Sequence, residues 1–313
     1  METIVSIFLN LPSIFLSSLS QGLLWALLAI GVFITYRILD VADLTTEGTF
    51  PLGGAIAATA IVNGLPPVVG TLLGFIGGML AGLVSGLLHT KLKIPPLLAG
   101  IITMTGLYSL NSRIMSGPNV SLIGEQRIFT WFETLGLSKN NAVILVGCLI
   151  VLVLILSLFI FFRTEIGLSI IATGDNPDMS QANGINTNTT KILGYMLANG
   201  CIALSGALLA QNNGFADLNA GVGTIVIGLA SIIISEVLFA SQPLLFRMGS
   251  IVLGAIIYRF ILAIILEFPI EANDNKLFSA LILILCLSLP LIKKKFQGKK
   301  RQGGHINGNH SAN

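Results

Sequence analysis

Charge is what this chain has least of. Only 10% of its 313 residues are Asp, Glu, Lys or Arg, where a soluble domain carries about a quarter. That shortage excludes a water-soluble core wrapped in a charged shell. Cysteine is scarce: Cys148, Cys201 and Cys286 all lie in apolar runs, with neither disulfide nor zinc-ligand spacing. Histidine is as rare, with His89 at the end of an apolar run and His305 and His310 near the end of the chain. No G-x4-G-K-[ST] loop occurs, which removes ATP hydrolysis by a P-loop. G-x-S-x-G, H-E-x-x-H and C-x-x-C are missing too, and no nucleophile stands beside a base. The chain therefore reads as no enzyme, with no catalytic residue, metal or cofactor of its own. No Lys or Arg precedes Arg37, so the first stretch lacks the basic region of a cleavable signal.

What is present is apolar: 54% hydrophobic residues, 34 glycines and a mean hydropathy of +0.89. This composition predicts an all-α polytopic membrane protein. About 20 apolar residues cross a bilayer, and spans fall at 14–36, 51–63, 67–89, 95–115, 142–162, 190–211, 222–240, 243–266 and 276–292. Nine is the expected number, within a range of eight to ten; the second is too short to span as a straight helix. The basic cluster at 293–301 places the chain's end in the cytoplasm. Counting back puts Arg247, Arg163, Lys191, Lys91 and Lys93 inside, and the N-terminus outside. A transmembrane unit, 1–292, then divides into halves at about 14–162 and 188–292, with 163–191 between them. The tail 293–313 is basic, then rich in Gly, Asn and His; it reads as a disordered anchor for anionic lipid, not as a nucleic-acid site.

The longest polar stretch between apolar runs is 163–191. Asp175 or Asn176 can cap a helix there, with Pro177 in its first turn. The helix runs from about Asp178 to Asn183, and Gly184 stops it. Such a helix lies across the membrane face and suits a cytosolic partner; an ordinary capped loop is the alternative. The run Gly174-Asp175-Asn176-Pro177-Asp178, with Ala182, Gly184 and Ile185, resembles the coupling segment of the ABC importer permeases for branched-chain amino acids and ribose. The resemblance covers roughly 20–292 and implies a homodimer of permease subunits. It also implies a cytosolic ATPase that binds the ATP and docks on Gly174–Asp178, Gln181, Gly184 and Ile185. An extracellular, lipid-anchored binding protein would deliver solute at loops 116–141, 212–220 and 267–276, in a bacterial plasma membrane.

A second informative segment is 37–63. Asp40, Asp43, Glu47, Thr45, Thr46, Gly48, Thr49 and Pro51 break the apolar pattern. Two readings stand: a cytoplasmic loop, or a broken helix dipping into a translocation path, tolerated only where protein or water surrounds it. The family resemblance favours the second; this acid-rich version resembles the branch associated with tryptophan and tyrosine import. Ala42-Asp43-Leu44 recurs as Ala216-Asp217-Leu218, and Gly48-Thr49 as Gly223-Thr224. Five spans separate the copies, so they form either an inverted repeat, a transporter architecture, or a chance match in a Gly/Ala/Leu-rich chain. Thr103, Asn111 and Asn219 join Asp43–Thr49 and Asp217 as pathway candidates, although Thr103 can equally bond its own backbone.

Gly70, Gly74, Gly78, Gly82 and Gly86 bare one helical face for close packing. Glu236 is expected to pair with Arg247 or touch the ATPase. Arg259, about 10 Å inside its span, has three readings: snorkelling outward, an ion pair with Asp217 or Glu267, or a substrate carboxylate. The leading function is an ABC importer permease for an amino acid, aromatic ones foremost. The alternative is a self-contained transporter using Asp43, Glu47 and Asp217 to hold a coupling ion.

Overall fold

Two long helices, α1 (Glu2–Phe33) and α9 (Thr187–Asn213), form the buried centre of the molecule. The structure, a computed structural model, describes residues 2–134, 136–239 and 243–267, with positions 277, 278, 280, 281, 284 and 288. The span expected at 276–292 lies largely, and the basic tail wholly, outside the described residues. Around the central pair stand α2 (Thr46–Val62), α3 (Pro67–Thr90), α4 (Pro96–Met115), α6 (Lys139–Phe162), α10 (Thr224–Leu238) and α11 (Leu244–Leu266). Short helices occupy the connections: α5 (Thr130–Glu133), α7 (Glu165–Asp175) and α8 (Pro177–Ala182). Eight expected spans thus appear as helices, five of them long and apolar enough to cross a membrane. α3, α6 and α11 keep exposed apolar faces, as lipid contact requires: Leu72 and Leu80 on α3, Leu149 and Ile160 on α6.

α2 and α10 are short, at 17 and 15 residues, or about 25 and 22 Å against a hydrocarbon core of about 30 Å. Their neighbours make up the difference with irregular backbone. α1 runs into a π-turn, Ile34–Ile38, and the chain then turns back through Asp40, whose φ is +53°. Asp tolerates that left-handed geometry better than a branched residue would. Before α10, the chain descends through 214–223. Two three-residue strands, β1 (Asn119–Ser121) and β2 (Phe215–Asp217), pair antiparallel with Asn119 opposite Asp217, tying the 116–122 loop to this descent.

The glycine stripe does what its spacing predicts. A Cβ on Gly70 or Gly74 would press on α2, near the carbonyls of Ala57 and Gly53; on Gly78, Gly82 or Gly86 it would press on α9. The bare face of α3 therefore lies across two helices at once. The connection between α4 and α6 is fixed by Gln211 on α9, whose Nε2 donates to Thr71 Oγ1 at 2.7 Å while its Oε1 accepts from the Ile128 N–H at 3.1 Å.

Candidate functional site: the helix breaks and their cavities

The segment between α1 and α2 is irregular, buried and held by polar side chains. Asp43 is 2% exposed. Its Oδ1 accepts from the Thr45 N–H at 2.9 Å and its Oδ2 from Asn199 Nδ2 on α9 at 2.8 Å. Thr45 Oγ1 and Ser85 Oγ are 2.6 Å apart. Ser85 donates onward to Thr103 Oγ1 at 2.9 Å, and Thr103 donates to the Ala99 carbonyl at 2.9 Å. That order makes Thr45 the donor to Ser85. Thr103 thus faces the bundle interior and also bonds its own helix. Ser85 stands about 7.5 Å, five residues at 1.5 Å each, from the Thr90 end of α3. The break is therefore inside the bundle rather than a loop on its face. Thr46 Oγ1 donates to the Asp43 carbonyl at 3.1 Å, and Thr49 is fully buried with Oγ1 unpartnered.

One turn into α2 the surroundings change. Glu47 Oε1 accepts from the Gly223 N–H at 3.0 Å, at the start of α10, a favourable place for a carboxylate beside a helix N-terminus. Gly221 packs on the Glu47 carbonyl, so the descending loop lies directly on α2. On one side of that loop is a cavity of about 350 Å³, lined by Glu47, Gly48, Met104, Tyr108, Asn111 and Asn219 among others. On the other side is a cavity of about 240 Å³ touching Trp25, Phe50, Asn213 and Asp217. The expected pathway residues therefore fall into three places. Asp43, Thr45 and Thr103 share a packed polar cluster; Glu47, Gly48, Asn111 and Asn219 share the larger cavity; Asp217 lies in the smaller one. Ser85, Asn199 and Tyr108 belong with them and carry no sequence signal.

The two halves of the repeat share a geometry as well as letters. Asp43 Oδ1 takes the N–H of Thr45, and Asp217 Oδ1 takes the N–H of Asn219 at 3.2 Å, two residues on in each case. Each such Asx-turn precedes a short helix, α2 or α10.

Segment 163–191 holds two helices, not one. Thr164 caps α7, its Oγ1 accepting from the Gly167 N–H at 3.2 Å. Asn176, rather than Asp175, caps α8: its Oδ1 accepts from the Met179 N–H at 2.9 Å, with Pro177 as the first residue. Gly184 follows with φ +82°, a left-handed stop that suits glycine. Asp175 to Met179 and Gln181 to Gly184 are exposed, while Ile185 is half-buried. Gly174 packs against the Ile38 carbonyl at the end of the π-turn, and the Thr173 and Thr190 hydroxyls, 2.8 Å apart, fasten α7 to α9.

Glu236 pairs with Arg247 at 2.9 Å, as expected, and also with Arg37 at 2.6 Å through two parallel bonds. One carboxylate thus joins the ends of α1, α10 and α11. All three groups are partly exposed, so screening keeps the contribution small. Glu236→Gln leaves two guanidinium groups facing a neutral amide and is expected to lower the melting temperature by about 2–4 °C, read by dye-reported unfolding in detergent. Of the three readings for Arg259, the ion pair with Asp217 or Glu267 does not form among the described residues: Arg259 donates to Gln21 Oε1 and lies over the Trp25 ring at 5.8 Å. The cause is the close α1–α11 crossing at Gly22 and Ile256, and Asp217 is meanwhile engaged in its own turn. Among the described residues no three His, Cys, Asp or Glu side chains gather as a metal site; His305 and His310 lie outside them.

Residues 14–287 match the family described as branched-chain amino acid transport system, permease component. The tyrosine transport system permease protein of Clostridioides difficile is 39% identical over 273 residues, 87% of this chain and 90% of that protein. The ribose import permease of Bacillus subtilis is 29% identical over 224 residues, 71% of this chain and 68% of that one. A chain of the Streptococcus pneumoniae PsaBC–Fab complex shares the fold, at TM-score 0.52 and 14% identity over 90% of this chain and 95% of that one.

Proposed function

The chain belongs to the branched-chain amino acid transport system permease family, and on that premise we propose that it is the pathway-forming subunit of an importer for an amino acid. Family membership makes it a multi-pass membrane protein and an ABC transporter permease. In this reading two copies enclose the path, a separate cytosolic ATPase binds ATP, and an extracellular binding protein delivers solute. The tyrosine permease relative favours an aromatic amino acid. The observation that carries the subunit reading is the α7–α8 pair: two capped helices that present Asp175–Met179 and Gln181–Gly184 outward. A self-contained transporter has no use for such a surface. Its coupling acids would also be separated here, with Asp43 in the packed cluster, and Glu47 and Asp217 in different cavities.

Co-purification tests the reading. The tagged wild-type chain is expected to carry its ATPase through detergent extraction. The variant with Asp175, Asn176 and Asp178 changed to Ala is expected to lose at least nine-tenths of it while eluting as a monodisperse species. A wild-type chain that carries no ATPase and transports alone in proteoliposomes under an ion gradient would replace the importer reading with the secondary-transporter one.

A further inference from the structure

The cavity between α2, α4 and the descending loop has an uneven chemistry. Its one charged side chain is Glu47. One Glu47 oxygen holds the Gly223 N–H; the other has no hydrogen-bond donor among the described residues, and no Lys or Arg of them pairs with it. Next to Glu47 in the lining is Asn111, 1% exposed. Its Nδ2 donates to the Gly48 carbonyl at 3.1 Å, while its Oδ1 has no partner. A buried amide oxygen without a donor is costly unless a ligand or water supplies one. The Asn111 oxygen is enclosed, so the anionic acceptor offered to the cavity is the second Glu47 oxygen. The same lining holds the Tyr108 ring, 54% exposed, and the Met104 thioether, a surface suited to an aromatic face. The volume, about 350 Å³, is at the small end of the range for small-molecule sites.

We infer that this cavity is a transit subsite for the primary ammonium group of an aromatic solute: the second Glu47 oxygen accepts hydrogen bonds from the ammonium, and Tyr108 and Met104 flank the ring. This rests on the importer reading above and deepens it, because it says which end of the solute the permease itself recognises. A carboxylate is disfavoured at this subsite, since the charged side chain that lines it is itself an anion and Ser109 and Asn219 offer only neutral donors.

The test uses the full chain, purified from its membrane with whatever subunits accompany it. Three probes are added at millimolar concentration: tyramine, which has the ammonium and ring alone; 3-(4-hydroxyphenyl)propionate, which has the ring and a carboxylate; and butylamine. Tyramine is expected to raise the melting temperature by 2 °C or more, and the propionate to leave it unchanged. Glu47→Gln keeps an oxygen for the Gly223 N–H but removes the charge, and is expected to abolish the tyramine shift. Tyr108→Ala, at an exposed position, is expected to reduce the tyramine shift to that of butylamine. A missing tyramine shift in wild type, an equal shift from the propionate, or a shift that survives in Glu47→Gln overturns the inference. A wild-type chain that carries no ATPase in co-purification fails the importer reading separately, because the tyramine arm needs no transport.

Discussion

Gly206→Val is expected to leave almost no folded protein in the membrane. Gly206 on α9 faces the backbone carbonyl of Phe50 on α2, and one turn away Gly53 on α2 faces the backbone of Ala203 on α9. The two helices cross backbone against backbone, with a glycine from each side making the room. A flexible side chain could swing aside for a new methyl group; a carbonyl in a helix cannot. To admit valine, α2 and α9 would have to separate, yet α2 is held by α3 through Gly70 and Gly74, and by the Trp25–Phe50 stack at 5.2 Å. Separation would also pull Asp43 from Asn199 and Thr45 from Ser85, stranding a buried carboxylate. The sum exceeds about 4 kcal/mol, the range of severe core lesions. Gly106, around which a Cβ meets nothing within 4 Å, is the matched control: Gly106→Val should behave as wild type. The comparison is read by size-exclusion profiles of fluorescent fusions after mild solubilisation. A monodisperse wild-type profile for Gly206→Val would mean that the crossing is more yielding than its geometry says.

This crossing shows where sequence reading reached and where it stopped. The stripe on α3 is legible because its five glycines are four residues apart, so one helix declares its own bare face. Gly53 and Gly206 carry the closest approach but belong to different helices, and nothing local connects them. The same division runs through the site. Asn176 and Pro177 announce α8, because capping is settled within three residues. The Asp43 and Asp217 turns are legible for the same reason, each side chain bonding its own backbone two residues on. Ser85 and Asn199 are single polar residues in apolar helices; their partners are 40 and 156 positions away. Arg37 finds Glu236 across 199 residues. α7 is illegible in the sequence for a different reason. Its sequence, EIGLSIIATGD, mixes polar and apolar residues on a short amphipathic helix, and it reads as connector until its Gly167, Ile170 and Thr173 are seen buried.

Gly174→Val is expected to cut transport at least tenfold while the ATPase still co-purifies. α7 is seated on the end of the π-turn, with Gly174 against the Ile38 carbonyl, and Gly194 on α9 meets the Leu39 side chain from another side. The end of the π-turn that follows α1 is thereby gripped between α7 and α9. Four residues on is Asp43, whose bonds to Thr45 and Asn199 fix the start of α2, and one turn further is Glu47, which holds the start of α10. A push on α7 therefore has a short, contiguous route of backbone contacts to both helix starts. Valine at 174 lifts α7 from Ile38 and opens the Thr173–Thr190 bond, while the exposed face at Asp175–Met179 keeps its residues. The triple alanine variant should behave in the opposite way, losing the ATPase with α7 still seated. Measured side by side in proteoliposomes, the first should hydrolyse ATP without moving solute and the second should do neither. If Gly174→Val transports at the wild-type rate, the force of the ATPase reaches the path by another contact, and the seat of α7 on the helix break is packing alone.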